Sequence, residues 1–391
     1  MATNQTIYTF QFGLLCLSSF LFFSSFNMII PELPAYLDQM GGGEYKGLII
    51  ALFTLTAGLS RPFSGKLADT VGRIPIMIFG AVICFICGFL YPIATTVFWF
   101  LALRFFHGLS TGFKPTGTAA YVADVIPANR RGEAMGVLGL CGSLGMAGGP
   151  AIGSTLANIY SLQVTFYASS ASAILSVLIL VGMHETLVDR QPFRFKLLRL
   201  DWSEVFEPRV WAPCVVMLLT TYSFGVALTL LPDQSDAMGI ENRGLVFMYM
   251  TIASVAVRFF AGKASDRYGR VIVLKWAAFI LVIGCLFLGY APSGYWLLVA
   301  GVFFGLAVGM NTPTIYAWTI DLSHPQRRGR AIATMYISLE IGIGLGALTS
   351  GWMYGNQLER LPYAFIVASV LSFLALVFMI AARPQLKTAK A

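Results

Sequence analysis

Apolar residues run along the chain in stretches of roughly twenty, separated by short polar or basic segments. Read as helices, these runs cover 8–32, 45–68, 74–93, 97–122, 131–157, 163–184, 210–233, 243–265, 271–290, 295–319, 329–354 and 361–382. A helix needs about 20 apolar residues to cross a bilayer, so each run is long enough to span one. The expected fold class is an all-α membrane protein of twelve transmembrane helices. An even number of spans puts both termini on one face, called here the terminal face; the opposite one is the distal face.

Composition agrees with that solvent. Hydrophobic residues make up 57% of the 391 residues and charged residues 11%, against about 25% charged in a soluble domain. The net charge of +8 is unevenly placed. Nineteen lysines and arginines fall on the side of the terminal face, and only Lys46, Arg243 and Arg360 on the distal side. Basic loops face the cytoplasm, so the terminal face is expected to be cytoplasmic, in an inner (plasma) membrane. The charge is a topology signal rather than a nucleic-acid footprint. The first apolar stretch is too long for a cleaved signal peptide and lacks a basic leader. The six cysteines all lie in predicted helices, and the Cys84–Cys87 pair sits mid-helix without redox-motif context, so they are read as free buried thiols.

A repeat organises the chain. Gly65-Lys-Leu-Ala-Asp-Thr-Val-Gly-Arg73 returns as Gly262-Lys-Ala-Ser-Asp-Arg-Tyr-Gly-Arg270, 197 residues later. The same offset carries Arg61 onto Arg258, Asp124 onto Asp321, Arg130-Arg131-Gly132 onto Arg327-Arg328-Gly329, and Gly145 and Gly149 onto Gly342 and Gly346. The chain therefore divides into a six-helix bundle over 1–184, a polar linker over 185–208, and a second six-helix bundle with a short tail over 209–391. Paired halves of this kind place a substrate site between them near the midplane.

The loop pattern G-x-L-A-D-x-x-G-R after the second helix resembles the best-known motif of the major facilitator superfamily. Within it, the chain is similar to the twelve-helix drug or metabolite:proton antiporters. Arg104-Phe-Phe-His-Gly108 resembles the fourth-helix R-x-x-x-G pattern of proton-driven members, and Gly149-Pro-Ala-Ile-Gly153 the fifth-helix G-P-x-x-G signature of exporters, with Ser154 where the family often has a second glycine. The resemblance implies that the aspartate of the loop motif meets the N-terminus of the eleventh helix. There the helix dipole favours a carboxylate, holding the cytoplasmic gate shut in the outward-facing state. Gly65, Asp69, Gly72 and Arg73, with Gly262, Asp266, Gly269 and Arg270, are thus a candidate gating frame, joined by Asp124, Arg131 and Asp321. Gly65 and Gly262 leave room for a neighbouring helix, and Gly72 and Gly269 suit a tight turn.

Candidate pathway residues come from charges inside spans, which are costly unless they face protein or water. Arg104, His107, Thr111 and Lys114 fall on one arc of the fourth helix, and that face is expected to line the central cavity. The alternative for Lys114 is snorkelling to the headgroups. Histidine is the residue type that titrates near neutral pH. Glu340 is the carboxylate well inside a predicted helix, about 16 Å deep, and is a candidate proton carrier; the alternative is a structural carboxyl paired with a cation. Asn27, Tyr222 and Asn311, with Tyr316, are candidate cavity-lining groups. Glu32 near the first helix exit is read as solvated. Gly145, Gly149 and Gly153 form a small-residue ridge and Pro150 favours a bend, which together read as a hinge between the halves.

No nucleotide-binding loop follows a strand: Gly342-Ile-Gly344-Leu-Gly346 has no βαβ unit around it. No cluster of nucleophile and base or of metal ligands is apparent. The expectation is a secondary transporter and not an enzyme, without cofactor or metal. It would work as a monomer in the bilayer and move a small molecule and protons, most plainly as an efflux antiporter. An inward facilitator or proton symporter for a sugar or organic acid is the alternative, and a non-transporting receptor a distant one.

Overall fold

The computed structural model describes residues 9–126, 131–199, 206–324 and 328–381. Twelve long helices appear among them: α1 (Phe10–Ile29), α2 (Lys46–Thr70), α3 (Arg73–Leu90), α4 (Val97–Val125), α5 (Arg131–Ile159), α6 (Leu162–Val181), α7 (Trp211–Ala237), α8 (Gly244–Tyr268), α9 (Arg270–Gly289), α10 (Gly294–Leu322), α11 (Arg328–Tyr354) and α12 (Leu361–Ala381). Ten of the candidate spans are apolar enough to cross a membrane, eleven with the bent α8. The other, α4, is 29 residues long and is made less apolar by Arg104, His107 and Lys114.

Helices are forced here because lipid supplies no partner for backbone N–H and C=O groups. Thr9, Thr96 and Ser161 begin α1, α4 and α6, each hydroxyl accepting an N–H from the first turn, as N-caps do. The first span continues past α1 through a 3-10 turn at Ile30–Glu32 and a short helix at Leu33–Gln39. The seventh helix runs to Ala237 rather than ending at 233. The polar residues Asp233, Gln234 and Asp236 made its last turn look like a loop.

The helices form two bundles with equivalent internal packing. In the first, α1 packs on α5 and α6, α2 on α4, and α3 on α4 and α6; in the second, α7 packs on α11 and α12, α8 on α10, and α9 on α10 and α12. The bundles meet along two seams, α2 against α11 and α5 against α8. The seams are related by exchange of the halves, since the 197-residue offset turns α2 into α8 and α5 into α11.

Candidate functional site

The seams are closed at the distal face. At Gly47, near the start of α2, an added Cβ would stand 2.5 Å from the Ala347 carbonyl oxygen of α11, and one at Gly351 would stand 2.6 Å from the Gly47 Cα. Gly244 of α8 lies in the same way against Pro150 of α5. Ion pairs cross here. Lys46 sits between Asp38 and Asp233, each at 2.5 Å, and Arg243 bonds Glu32 and Asp236, each at 2.6 Å. Ser154 donates to Glu32 at 2.6 Å and accepts the Gly244 N–H at 3.1 Å. Glu32 is therefore not solvated: it is 4% exposed and bridges the bundles, because the second bundle brings Arg243 to it. Burial works against the Arg243 charge, but the carboxylates of Asp236 and Glu32 outweigh it and hold its pKa above the ordinary value.

Removing one partner of a buried pair is costly. With Arg243 partly solvated, Arg243→Gln is expected to weaken distal closure by about 2 kcal/mol, a shift of roughly 30-fold toward the distal-open form. Spin-label distances across the distal face would report it. An unchanged distribution would remove this pair from the closure.

At the terminal face the seams are open. Gly65, Gly262, Gly136 and Gly329 have nothing within 4 Å of where a Cβ would stand. Asp69 and Asp266 are 71% exposed. Among the described residues the partner of Asp69 is Arg73 at 2.9 Å, and Arg73 also bonds Asp124 at 3.0 Å. The second half repeats the triad with Asp266, Arg270 and Asp321, the last at 2.9 Å. Each triad ties the turn after one helix to the end of the helix two further on within its own bundle. The turn itself is as expected: Gly72 has φ +137 and Gly269 φ +97, which glycine adopts without strain. Glu185 was not foreseen. Its carboxylate accepts the backbone N–H groups of Arg73 and Ile74 at 3.0 Å and so caps α3. Arg130 and Arg327 lie outside the described residues, and Arg131 and Arg328 are described only as the first residues of α5 and α11.

Between the closed and open ends lies a cleft. It is bordered by Asn27 of α1, Ser143 and Pro150 of α5, Phe224 of α7, Arg258 of α8 and Gly305 of α10, so both bundles contribute. On the α2–α11 seam, where distal closure ends, Arg61 of the first bundle bonds Glu340 of the second at 2.7 Å. Glu340 is 7% exposed, and the Arg61 guanidinium lies 4.3 Å over the Tyr336 ring. Sequence reading found Glu340 but not Arg61 as its partner.

The fourth-helix residues are placed elsewhere. Arg104, His107 and Lys114 are almost fully buried, and their face turns into the first bundle rather than the cleft. Arg104 Nε donates to the Ile49 carbonyl at 2.9 Å and lies over Phe53. His107 meets the Tyr91 hydroxyl at 3.0 Å and the Cys84 thiol at 3.3 Å. Lys114 donates to Ser19 at 3.1 Å and lies over Phe22, so it does not snorkel. Thr111 bonds back to its own helix at Gly108. Apart from Gly108 these partners come from α1, α2, α3 and the turn that follows α3 at Tyr91, and no carboxylate stands among them.

The remaining candidates divide. Asn27 borders the cleft and bonds the Phe23 carbonyl at 2.8 Å. Tyr222 pairs with Thr349 at 2.5 Å and Asn311 with Thr220 at 2.7 Å, inside the second bundle. The ridge Gly145, Gly149 and Gly153 packs against Phe20, Ser24 and Met28 of α1, so it joins two helices of one bundle instead of hinging the halves. Of the four hinge candidates, Pro150 is the one against which Gly244 of the other bundle packs. The cysteines are free.

Residues 15–242 and 214–391 match a family model described as Major Facilitator Superfamily. Quinolone resistance protein NorA of Staphylococcus aureus strain MSSA476 is 24% identical over 381 residues, covering 94% of each chain. The multi-drug resistance efflux pump PmrA of Streptococcus pneumoniae serotype 4 is 25% identical over 355 residues, 86% of this chain and 88% of PmrA. Among solved structures, a D-xylose-proton symporter superposes with a TM-score of 0.77 at 17% identity, covering 95% of this chain and 97% of the other. The human organic anion transporter MFSD10 gives 0.73 at 20%, with 94% and 98% covered.

Proposed function

The chain belongs to the Major Facilitator Superfamily, and from that membership we propose that it is a proton-coupled exporter of small organic compounds working by alternating access. The Arg61–Glu340 pair carries the reading: a buried carboxylate midway along α11, bonded across the halves at 2.7 Å. A proton reaching Glu340 cancels its charge and releases Arg61, so protonation and the relative position of the bundles are linked at one bond. The printed descriptions of NorA and PmrA as resistance and efflux proteins favour export.

The basic loops make the terminal face cytoplasmic, in the inner membrane, with both termini on that side. The described conformation is then the one that receives cargo from the cytoplasm, with Glu340 ionised after giving up its proton. Cargo enters the cleft, the terminal face closes, and the distal face opens. Glu340 takes a proton from outside, and the return carries it inward. In the closing step the Asp69 and Asp266 triads meet the opposite bundle, Asp69 against the N-terminus of α11. Each chain holds a complete pathway and works as a monomer, with the boundaries 1–184, 185–208 and 209–391.

Inverted membrane vesicles with a pH-sensitive dye test direction and coupling together. Addition of cargo to acid-inside inverted vesicles is expected to drive cargo in and protons out. Cargo and protons leaving the lumen together would mean an inward symporter, and cargo movement indifferent to the gradient a facilitator.

A further inference from the structure

We propose that Arg258 is an anion-binding group of the cleft, and that the cargo it receives carries a carboxylate on an apolar body. The proposal rests on the exporter reading only in taking the cleft as the cargo site.

The repeat supplies the argument. The offset that turns Arg61 into Arg258 also turns Ser143 into Glu340. The Arg61–Glu340 bond at 2.7 Å on the α2–α11 seam and the Arg258–Ser143 bond at 3.1 Å on the α8–α5 seam are therefore one contact made twice. In the first the arginine meets a carboxylate; in the second it meets a hydroxyl. Tyr336, which lies under Arg61, maps back to Gly139, where nothing stands within 4 Å of a Cβ position. The second arginine thus lacks the acid and a ring at the equivalent position.

Tyr336 lies near Arg258 as well as over Arg61, but among the described residues no carboxylate pairs with Arg258. Arg258 Nε is buried without a hydrogen-bond partner. The same holds for Arg61 Nε, but Arg61 has Glu340 to balance its charge. The described residues bordering the cleft include no carboxylate. Arg258 is half-buried, so its guanidinium is partly desolvated with only a neutral partner, and its planar fork fits a carboxylate. Beside it the cleft is apolar, with Ile30, Met146, Leu228, Phe247 and Met250, while Thr251 and Ser254 offer hydroxyls on the Arg258 helix itself. An amphiphilic monocarboxylate matches this wall. Its acid would stand where Glu340 stands in the symmetric contact.

The test uses the full chain in lipid nanodiscs without any proton gradient. Binding of 2-naphthoate, 4-phenylbutyrate and decanoate is compared with that of their primary amides by titration calorimetry. The native protein is expected to hold at least one acid about tenfold more tightly than its amide. Arg258→Gln should bring that ratio to about one by weakening the acid alone. Ser143→Glu should do the same while completing the ion pair internally, which keeps the fold in case Arg258→Gln disturbs it. The absence of any acid preference in all three native pairs, or its persistence in Ser143→Glu, overturns the proposal. Acid preference without proton-driven export would sink the exporter reading and leave this one standing; proton-driven export with amides bound as well as acids would do the reverse.

Discussion

Glu340→Gln is expected to abolish proton-driven efflux, by at least about 100-fold, while leaving cargo exchange across the membrane intact. Glutamine keeps the shape of the side chain and its hydrogen bond to Arg61, but it neither ionises nor accepts the transported proton. Arg61 would still lie over Tyr336 at 4.3 Å, a contact that stabilises a desolvated cation, so the variant should fold and reach the membrane. Arg61→Ala is the harsher change, because it strands the Glu340 charge in the seam, and it should lower the amount of folded protein as well. Two readouts decide: cargo accumulation in inverted vesicles under a pH gradient, and counterflow of labelled against unlabelled cargo without one. Loss of the first with retention of the second is the signature of uncoupling. Normal proton exchange by Glu340→Gln would remove Glu340 from the coupling step.

What the sequence made readable follows from what a single helix can encode. Spans, their number and the two halves are local or periodic properties, and the constant offset identified the halves directly. Of the 26 lysines and arginines, the two membrane faces, with the helix ends that reach them, account for all but four: Arg61, Arg104, Lys114 and Arg258. The signal that singled out Arg104, a cation inside a span, was equally present at Arg61 and Arg258. Their importance was missed because their partners are remote; Glu340 lies 279 residues from Arg61. The arc shared by Arg104, His107 and Lys114 was legible as one face. Periodicity alone does not say which neighbour that face meets, and packing turned it onto α1, α2 and α3. The glycine ridge of α5 likewise announced a close neighbour without naming it as α1. At the distal face Glu32, Lys46 and Arg243 read as ordinary ends of helices, and only the meeting of the bundles makes them partners.

Two glycines at opposite ends of α2 should arrest the cycle in opposite states. Gly47→Val is expected to abolish transport with expression retained, holding the protein distal-open. The added side chain would meet the backbone of Ala347 and Leu348, at 2.5 and 3.0 Å from its Cβ, and backbone inside a packed helix has no rotamer with which to yield. Overpacking of this kind costs about 1–3 kcal/mol or more. Opening the seam removes that clash entirely, so the cost falls on one state and shifts the population toward the other. Gly65→Val meets nothing in the described conformation and should be tolerated there. If the terminal face closes by bringing α2 against α11, as exchange of the seam ends requires, the valine obstructs that closure and leaves the protein terminal-open. Spin-label distances across both faces would then move in opposite directions for the two variants, with turnover low in each. Wild-type turnover in Gly47→Val would show that the tight α2–α11 contact is dispensable to the cycle. Wild-type turnover in Gly65→Val would separate the repeated loop glycines from gate closure, leaving them only the turn geometry that Gly72 and Gly269 already serve.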